Sequence, residues 1–330
     1  MFRHLIAIAV ACLASSALQA QERDLKFTLD FISLGRHAPW YVALGKGYYK
    51  QEGLNVTILP AKGTADAIHS VASGVTELGF IDIPSLVASG SAGGAIKIVA
   101  VNYQKPPYCV FSLNPGANVT EPRQMKDLEL GSSTGSFVPK IWQAFMAMNK
   151  VDSKTLKIVN IEPASRVPML ATGKVQSIDL FIMSEPSIRR AVTNAKPVCL
   201  FAGDYGLEIY ANAIGVTDEF LAKNPEIVKK FVRAALRGWK DALADPEEAA
   251  RIEVQYVKAL DPEIIKEELA IVKRLAVTPD VEKNGFGYVS LDRLRNTVNF
   301  INTNIDVPGE KLNAEQIFRS GYLPDPPIRP

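Results

Sequence analysis

The chain carries one α/β phrase twice, about a hundred residues apart. Ala72-Ser73-Gly74-Val75-Thr76-Glu77-Leu78 returns in outline as Ala171-Thr172-Gly173-Lys174-Val175-Gln176-Ser177-Ile178. Upstream of each copy come a strand, a Gly-bearing loop, a proline opening an apolar helix, and a second strand. In the first copy these are residues 27–31, Gly35, Pro39 and 56–59; in the second they are 128–130, Gly131 and Gly135, Pro139 and 156–161. Pro39 and Pro139 are 100 residues apart, and Gly74 and Gly173 are 99 apart. Two similar units must meet along a seam, and seams between lobes are where ligands most often sit.

With 330 residues the chain exceeds what one core usually holds, which also argues for two lobes. The formal charge of +2 is spread along the chain, and no stretch concentrates Lys and Arg as a nucleic-acid-binding face would. The first twenty residues differ in kind: Arg3 and His4, an apolar run over 5–13, then Ala14-Ser15-Ser16-Ala17. Basic, apolar and small in that order reads as a secretory signal peptide, cleaved after Ala17 or Ala20. The apolar run is well short of the ~20 residues a membrane span needs. A soluble, exported protein is therefore expected, and lipid anchoring at Cys12 is disfavoured because Ala9 suits a lipoprotein signal poorly. Cys109 and Cys199 remain after cleavage; an oxidising compartment permits a bridge, while their apolar surroundings suit buried free thiols equally. Two cysteines without clustered histidines make no metal site.

Strands and helices alternate through each repeat. Strands are expected at 27–31, 56–59, 78–81 and 96–101, and helices at 39–49, 65–72 and 84–88. The second unit places strands at 128–130, 156–161, 178–183 and 198–201. Such alternation, with strands apolar along their length, predicts a mainly parallel sheet flanked by helices in each lobe. Residues 108–113 and 207–216 read as strands crossing between lobes, so a hinge of two crossovers is expected. The predicted architecture is α/β and two-lobed: a signal peptide at 1–20, a first lobe from 21–106 and 208–330, and a second lobe from 107–207. Beyond 216 the texture turns helical, with starts at Asn224-Pro225-Glu226, Asp245-Pro246-Glu247 and Asp261-Pro262-Glu263. In each, Asn or Asp is expected to accept from free amides while proline supplies a fixed φ. Val228, Phe231, Ala235 and Trp239 make one apolar stripe that should pack back on the first lobe.

Ligands of parallel α/β sheets bind at the carboxyl ends of strands, beside helix N-termini. That rule selects Ser33, Arg36, His37 and Trp40, then Thr64, Asp82, Asn102 and Tyr103 in the first lobe. In the second it selects the loop with Ser133, Thr134, Ser136 and Phe137, then Arg166, Glu185 and Tyr205. The hydroxyls and free amides of residues 132–137 suit an anionic or polar group, although one of them alone would cap the following helix. Trp40 fits core and cleft equally, His37 fits a structural role as well as a ligand one, and Glu185 fits a helix cap. No Gly-x-Ser-x-Gly elbow, P-loop or His-Glu-x-x-His motif is present, and Gly90-Ser91-Ala92-Gly93-Gly94 precedes a strand, where a turn is expected.

The run His37-Ala38-Pro39-Trp40-Tyr41-Val42-Ala43, continued by Lys46-Gly47-Tyr48-Tyr49-Lys50-Gln51-Glu52-Gly53-Leu54-Asn55-Val56, resembles the opening of a known family. It is the family of nitrate/sulfonate/taurine and thiamine-pyrimidine-precursor binding proteins of bacterial ABC importers. Ala72-Ser73-Gly74 through Gly79, and Asn224-Pro225-Glu226 through Arg237-Gly238-Trp239, are similar to it as well. The resemblance implies a periplasmic receptor, a monomer without cofactor, that closes on a small molecule and docks on an ABC permease with its ATPase. Eukaryotic relatives that synthesise the thiamine pyrimidine carry a cysteine cluster near the second crossover, where residues 206–212 here have none. That departure favours a binding protein over an enzyme; a synthase on the same fold and a periplasmic ligand sensor are the alternatives. Ser133, Thr134, Ser136, Arg36 and Arg166 suit a sulfonate or carboxylate. Trp40, Tyr103, Phe137, Tyr205, Asp82 and Glu185 suit a flat heterocycle such as a pyrimidine.

Overall fold

The computed structural model describes residues 22–133 and 136–330. The expected leader, with Cys12, and Thr134 lie outside the described residues. The described chain forms two five-stranded sheets. The first holds β1 (Arg23–Thr28), β2 (Leu54–Leu59), β3 (Leu78–Asp82), β4 (Ile96–Val101) and β10 (Asn212–Thr217), in the order β2-β1-β3-β10-β4. The second holds β5 (Tyr108–Asn114), β6 (Glu129–Ser132), β7 (Lys157–Asn160), β8 (Ser177–Phe181) and β9 (Lys196–Phe201), in the order β7-β6-β8-β5-β9.

The two orders are the same pattern, which gives the sequence repeat its structural meaning. In each sheet four strands point one way and one runs against them: β10 in the first, β5 in the second. Those reversed strands are the two crossing strands. Each inserts inside its sheet, where both of its edges find partners, so the sheets are mixed. The linkers lie side by side: the amides of Asn102 and Tyr103 donate to the Asn212 carbonyl at 2.9 and 3.0 Å, and Ala211 N–H donates to the Tyr103 carbonyl at 3.2 Å.

Helix Pro225–Ala244 buries the expected stripe of Val228, Phe231, Ala235 and Trp239. Its aromatic residues meet the first sheet and the helix Ala38–Gly45 together. Phe231 lies 5.2 Å from Phe27, and Trp239 lies 5.5 Å from Trp40 and 6.0 Å from Phe80, between ring centres. A glycine makes this approach possible. A Cβ on Gly238 would sit 2.4 Å from the Pro39 carbonyl oxygen and 2.6 Å from the Ala43 Cβ.

Several local expectations are modified. The helix expected over 39–49 is two, Ala38–Gly45 and Tyr48–Gln51. Asp245 and Asp261 accept from the amides of Glu248 and Glu263 as foreseen, both at 2.9 Å. Asn224 does not cap the helix it precedes. Its amide donates to the Phe220 carbonyl at 3.2 Å, closing the helix before it. Cys109 and Cys199 are disulfide-bonded, with Cα atoms 5.7 Å apart on the neighbouring strands β5 and β9.

Candidate functional site

The first strand ends at Thr28, earlier than its apolar run, and the chain then turns Asp30 inward. A carboxylate buried there requires compensation. Arg36 Nη1 donates to Asp30 Oδ2 at 3.0 Å, and Asn212 Nδ2 donates to the same oxygen at 3.0 Å. His37 Nε2 lies 2.8 Å from Asp30 Oδ1, while its Nδ1 accepts the Leu34 amide at 3.1 Å. Because Nδ1 accepts, the proton sits on Nε2 and the ring is neutral. Burial, together with Arg36, drives the imidazole down to about 4 in spite of Asp30. Burial alone would raise Asp30, but Arg36 and His37 outweigh it and hold the carboxyl at about 2.

The second sheet repeats the device with different residues. Arg166 Nη1 donates to Asp179 Oδ1 at 2.7 Å and to the Asp179 carbonyl at 2.6 Å, and its Nη2 donates to Ser133 Oγ. Ser132 Oγ donates to Asp179 Oδ2 at 2.7 Å. All four charged groups, Asp30, Arg36, Arg166 and Asp179, are buried. Two positive and two negative charges leave the site formally balanced.

The two devices interlock across the seam. The Arg36 guanidinium carbon lies 4.9 Å from the ring centre of Phe181, at the end of β8. The Arg166 guanidinium carbon lies 5.5 Å from the ring centre of Phe31, just beyond β1. Each arginine is thus bound to an aspartate of its own half and stacked on an aromatic ring of the other. Between them lies a narrow cavity whose walls include Phe31, Leu34, Thr64, Val138, Leu180 and Phe181. Arg36 Nε, Arg166 Nε and Thr64 Oγ1 are buried without a hydrogen-bond partner among the described residues. Each such orphan costs roughly 1–3 kcal/mol.

Of the residues selected from sequence, Arg36, Thr64, Ser133, Ser136 and Arg166 line this cavity. The others, Thr134 apart, are placed elsewhere. His37 stands behind the wall, holding Asp30. Ser33 meets the Tyr41 hydroxyl at 3.2 Å. Trp40 is fully buried in the core against Phe27 at 4.6 Å and Phe80 at 5.1 Å, and Tyr103 packs on Phe80 and Trp239. Asp82 caps the helix Ile83–Ala88 through the Ser85 amide at 2.9 Å and accepts the Tyr108 hydroxyl at 2.6 Å; burial pushes its carboxyl up to about 6. Asn102 is buried near the paired linkers. Phe137 faces Lys140, Glu185 pairs with Arg189 one turn on, and the Tyr205 hydroxyl donates to the Thr120 carbonyl. Sequence reasoning missed Asp30, Phe31, Asp179 and Phe181, which it read as strand interior. The available signal was an aspartate inside each apolar run, Leu29-Asp30-Phe31 and Ile178-Asp179-Leu180, since a charge there demands a buried cation.

Comparison with known proteins identifies the fold and the family. The riboflavin-binding protein RibY of Chloroflexus aurantiacus is 26% identical over 331 residues, covering 96% of this chain and 91% of its own. The 4-amino-5-hydroxymethyl-2-methylpyrimidine phosphate synthase THI13 of Saccharomyces cerevisiae is 26% identical over 264 residues, 73% of each chain. Among solved structures, the alkanesulfonate-binding protein SsuA of Xanthomonas axonopodis pv. citri, bound to MOPS, superposes with a TM-score of 0.74 at 13% identity. That match covers 92% of this chain and 100% of SsuA, and the shared fold is that of periplasmic binding proteins. Residues 35–249, from the loop that carries Arg36 to the helix after Trp239, match the NMT1/THI5-like family, and the chain belongs to it.

Proposed function

We propose that the protein is the periplasmic solute-binding component of an ABC importer, which captures a small organic solute between its two halves and delivers it to a permease. The observation that carries this reading is the reciprocal seam. Arg36 and Arg166, one from each half, both line a cavity walled by Phe31 and Phe181, and each is fixed there by a buried aspartate. Such a cavity suits a flat solute with acceptor atoms, an organic anion such as a sulfonate or a pyrimidine-like heterocycle. The binding-protein names among relatives and structural neighbours support the same reading.

A synthase on the same fold is the second reading, favoured by the name of the Saccharomyces relative. The site's histidine bears on the choice. His37 is fully buried and committed at both nitrogens, to Asp30 and to the Leu34 amide, so it positions Asp30 and is not free to move protons for a substrate.

The test is mass spectrometry of small molecules released from natively purified protein, followed by calorimetry with the released compounds, a sulfonate and a pyrimidine. One-to-one binding without chemical change supports the importer component. Conversion of the bound compound overturns it in favour of the synthase, and absence of any released or bound solute overturns both.

A further inference from the structure

Two carboxylates outside the cavity touch both halves of the molecule: Asp82, through Tyr108, and Glu268. Glu268 lies on helix Pro262–Ala276 and is 1% exposed. Its Oε2 accepts the backbone amide of Arg36 at 2.8 Å, and its Oε1 accepts the Ser187 hydroxyl at 2.9 Å. Arg36 belongs to the loop after the first sheet's β1, whereas Ser187 belongs to helix Glu185–Ala191, which follows β8 of the second. We infer that Glu268 is a positioning residue and a latch, fixing the backbone that presents Arg36 to the cavity while holding the second half of the molecule against the first.

Three further observations fit that role. The helix approaches the Arg36 loop too closely for any residue but glycine: a Cβ on Gly35 would lie 2.7 Å from the Ile265 Cα and 3.1 Å from Glu268 Oε2. Beside the Ser187 contact the seam is not filled. A recess opens there, bordered by Leu34, Gly35, Ser187, Leu260, Ile265 and Glu268. Two polar links from the same helix to this face, Arg189 with Glu267 and Arg190 with Asp261, are exposed ion pairs, which hold weakly and are screened by salt. Among these contacts the buried Glu268 bond is the one with directional strength.

The inference rests on the solute-binding reading only in calling the present arrangement closed, and its test needs no solute. Four proteins are compared: wild type, Glu268→Gln, Glu268→Leu and Ser187→Ala. Hydrogen exchange is resolved to the Arg36 amide, and small-angle scattering gives the radius of gyration. Glutamine keeps an acceptor for Arg36 and a donor for Ser187, so Glu268→Gln should match wild type in both readouts. Glu268→Leu should exchange at Arg36 about 10- to 100-fold faster, the loss expected when a buried amide is left without its acceptor, and should scatter as a larger particle. Ser187→Ala should scatter as a larger particle while protection at Arg36 stays intact. That split separates latching from folding, since a merely structural role would move melting without dividing the two readouts. If Ser187→Ala leaves the radius of gyration at the wild-type value, or Glu268→Leu leaves Arg36 protected, the inference is overturned. Should Glu268→Leu fail to fold, Ser187→Ala and Glu268→Gln still decide the matter.

Discussion

Thr64 is the cavity residue whose purpose can be isolated most cleanly. Its hydroxyl is buried and unpartnered, so in the unliganded protein it is a cost. Thr64→Val keeps the shape and removes the cost. The expected outcome is a melting temperature equal to or above wild type, with solute affinity about tenfold weaker. Calorimetry beside thermal melting checks it, and unchanged affinity would remove the hydroxyl from the site. Glu268 gives a residue-scale prediction of another kind. Burial pushes its carboxyl from the ordinary 4.5 up to about 7, with Glu253, Arg36, Tyr103 and Ser187 around it; Glu253, whose own carboxyl burial raises, opposes its charge. The unfolded chain then releases its proton first, so stability falls as pH rises from about 4.5 to about 7, by on the order of 3 kcal/mol. Glu268→Gln should lack that component, and its melting curve against pH should be flatter than wild type over this window. His37, whose value is lowered to about 4, contributes a slope of opposite sign up to 6.5 in both proteins and cancels in the comparison.

At the scale of elements, the site depends on how closely helix Pro225–Ala244 seats on helix Ala38–Gly45, which directly follows Arg36 and His37. Gly238→Ala would drive a methyl group into the Pro39 carbonyl. Overpacking of this sort costs about 1–3 kcal/mol, so a lower urea midpoint with an unchanged slope is expected. The strands β3, β4, β5 and β10 were legible in the chain as apolar runs, because burial on both faces of a sheet leaves that mark locally, whereas β1 was read several residues too late, its apolar run starting only at Phe27. The apolar stripe of Val228, Phe231, Ala235 and Trp239 was legible for the same reason. Pairing was not. That β10 enters between β3 and β4, and β5 between β8 and β9, is set by contacts between segments a hundred residues apart. Trp40 shows the limit from the other side: its place in a helical first turn suits cleft and core alike, and Phe27, Phe80 and, some two hundred residues later, Trp239 together draw it into the core. Asp30 and Asp179 were hidden because each looks like part of its strand until its arginine is brought near.

For the molecule as a whole, two sheets of one pattern are joined by the paired linkers at residues 102–107 and 202–211. The covering helices bind the linkers to the first sheet: Arg293 Nη2 donates to the Gln104 carbonyl, and Tyr210 OH accepts the Ser290 amide at 3.0 Å. Motion between halves should therefore be a hinge at the linkers, with the C-terminal helices riding on the first sheet. Scattering with saturating solute should show a particle at least as compact as the unliganded one, and hydrogen exchange should change at residues 102–107 and 202–211 while β1 and β3 stay protected. Exchange that changed throughout the first sheet would contradict a hinge. The crossed stacking of Arg36 on Phe181 and Arg166 on Phe31 has a last consequence for selectivity. With its rings already faced by guanidinium groups, the empty site offers a greasy stranger no bare aromatic surface to settle on. The protein keeps its own placeholders in the seat, and admission goes to a guest that can satisfy the arginines as well as the rings.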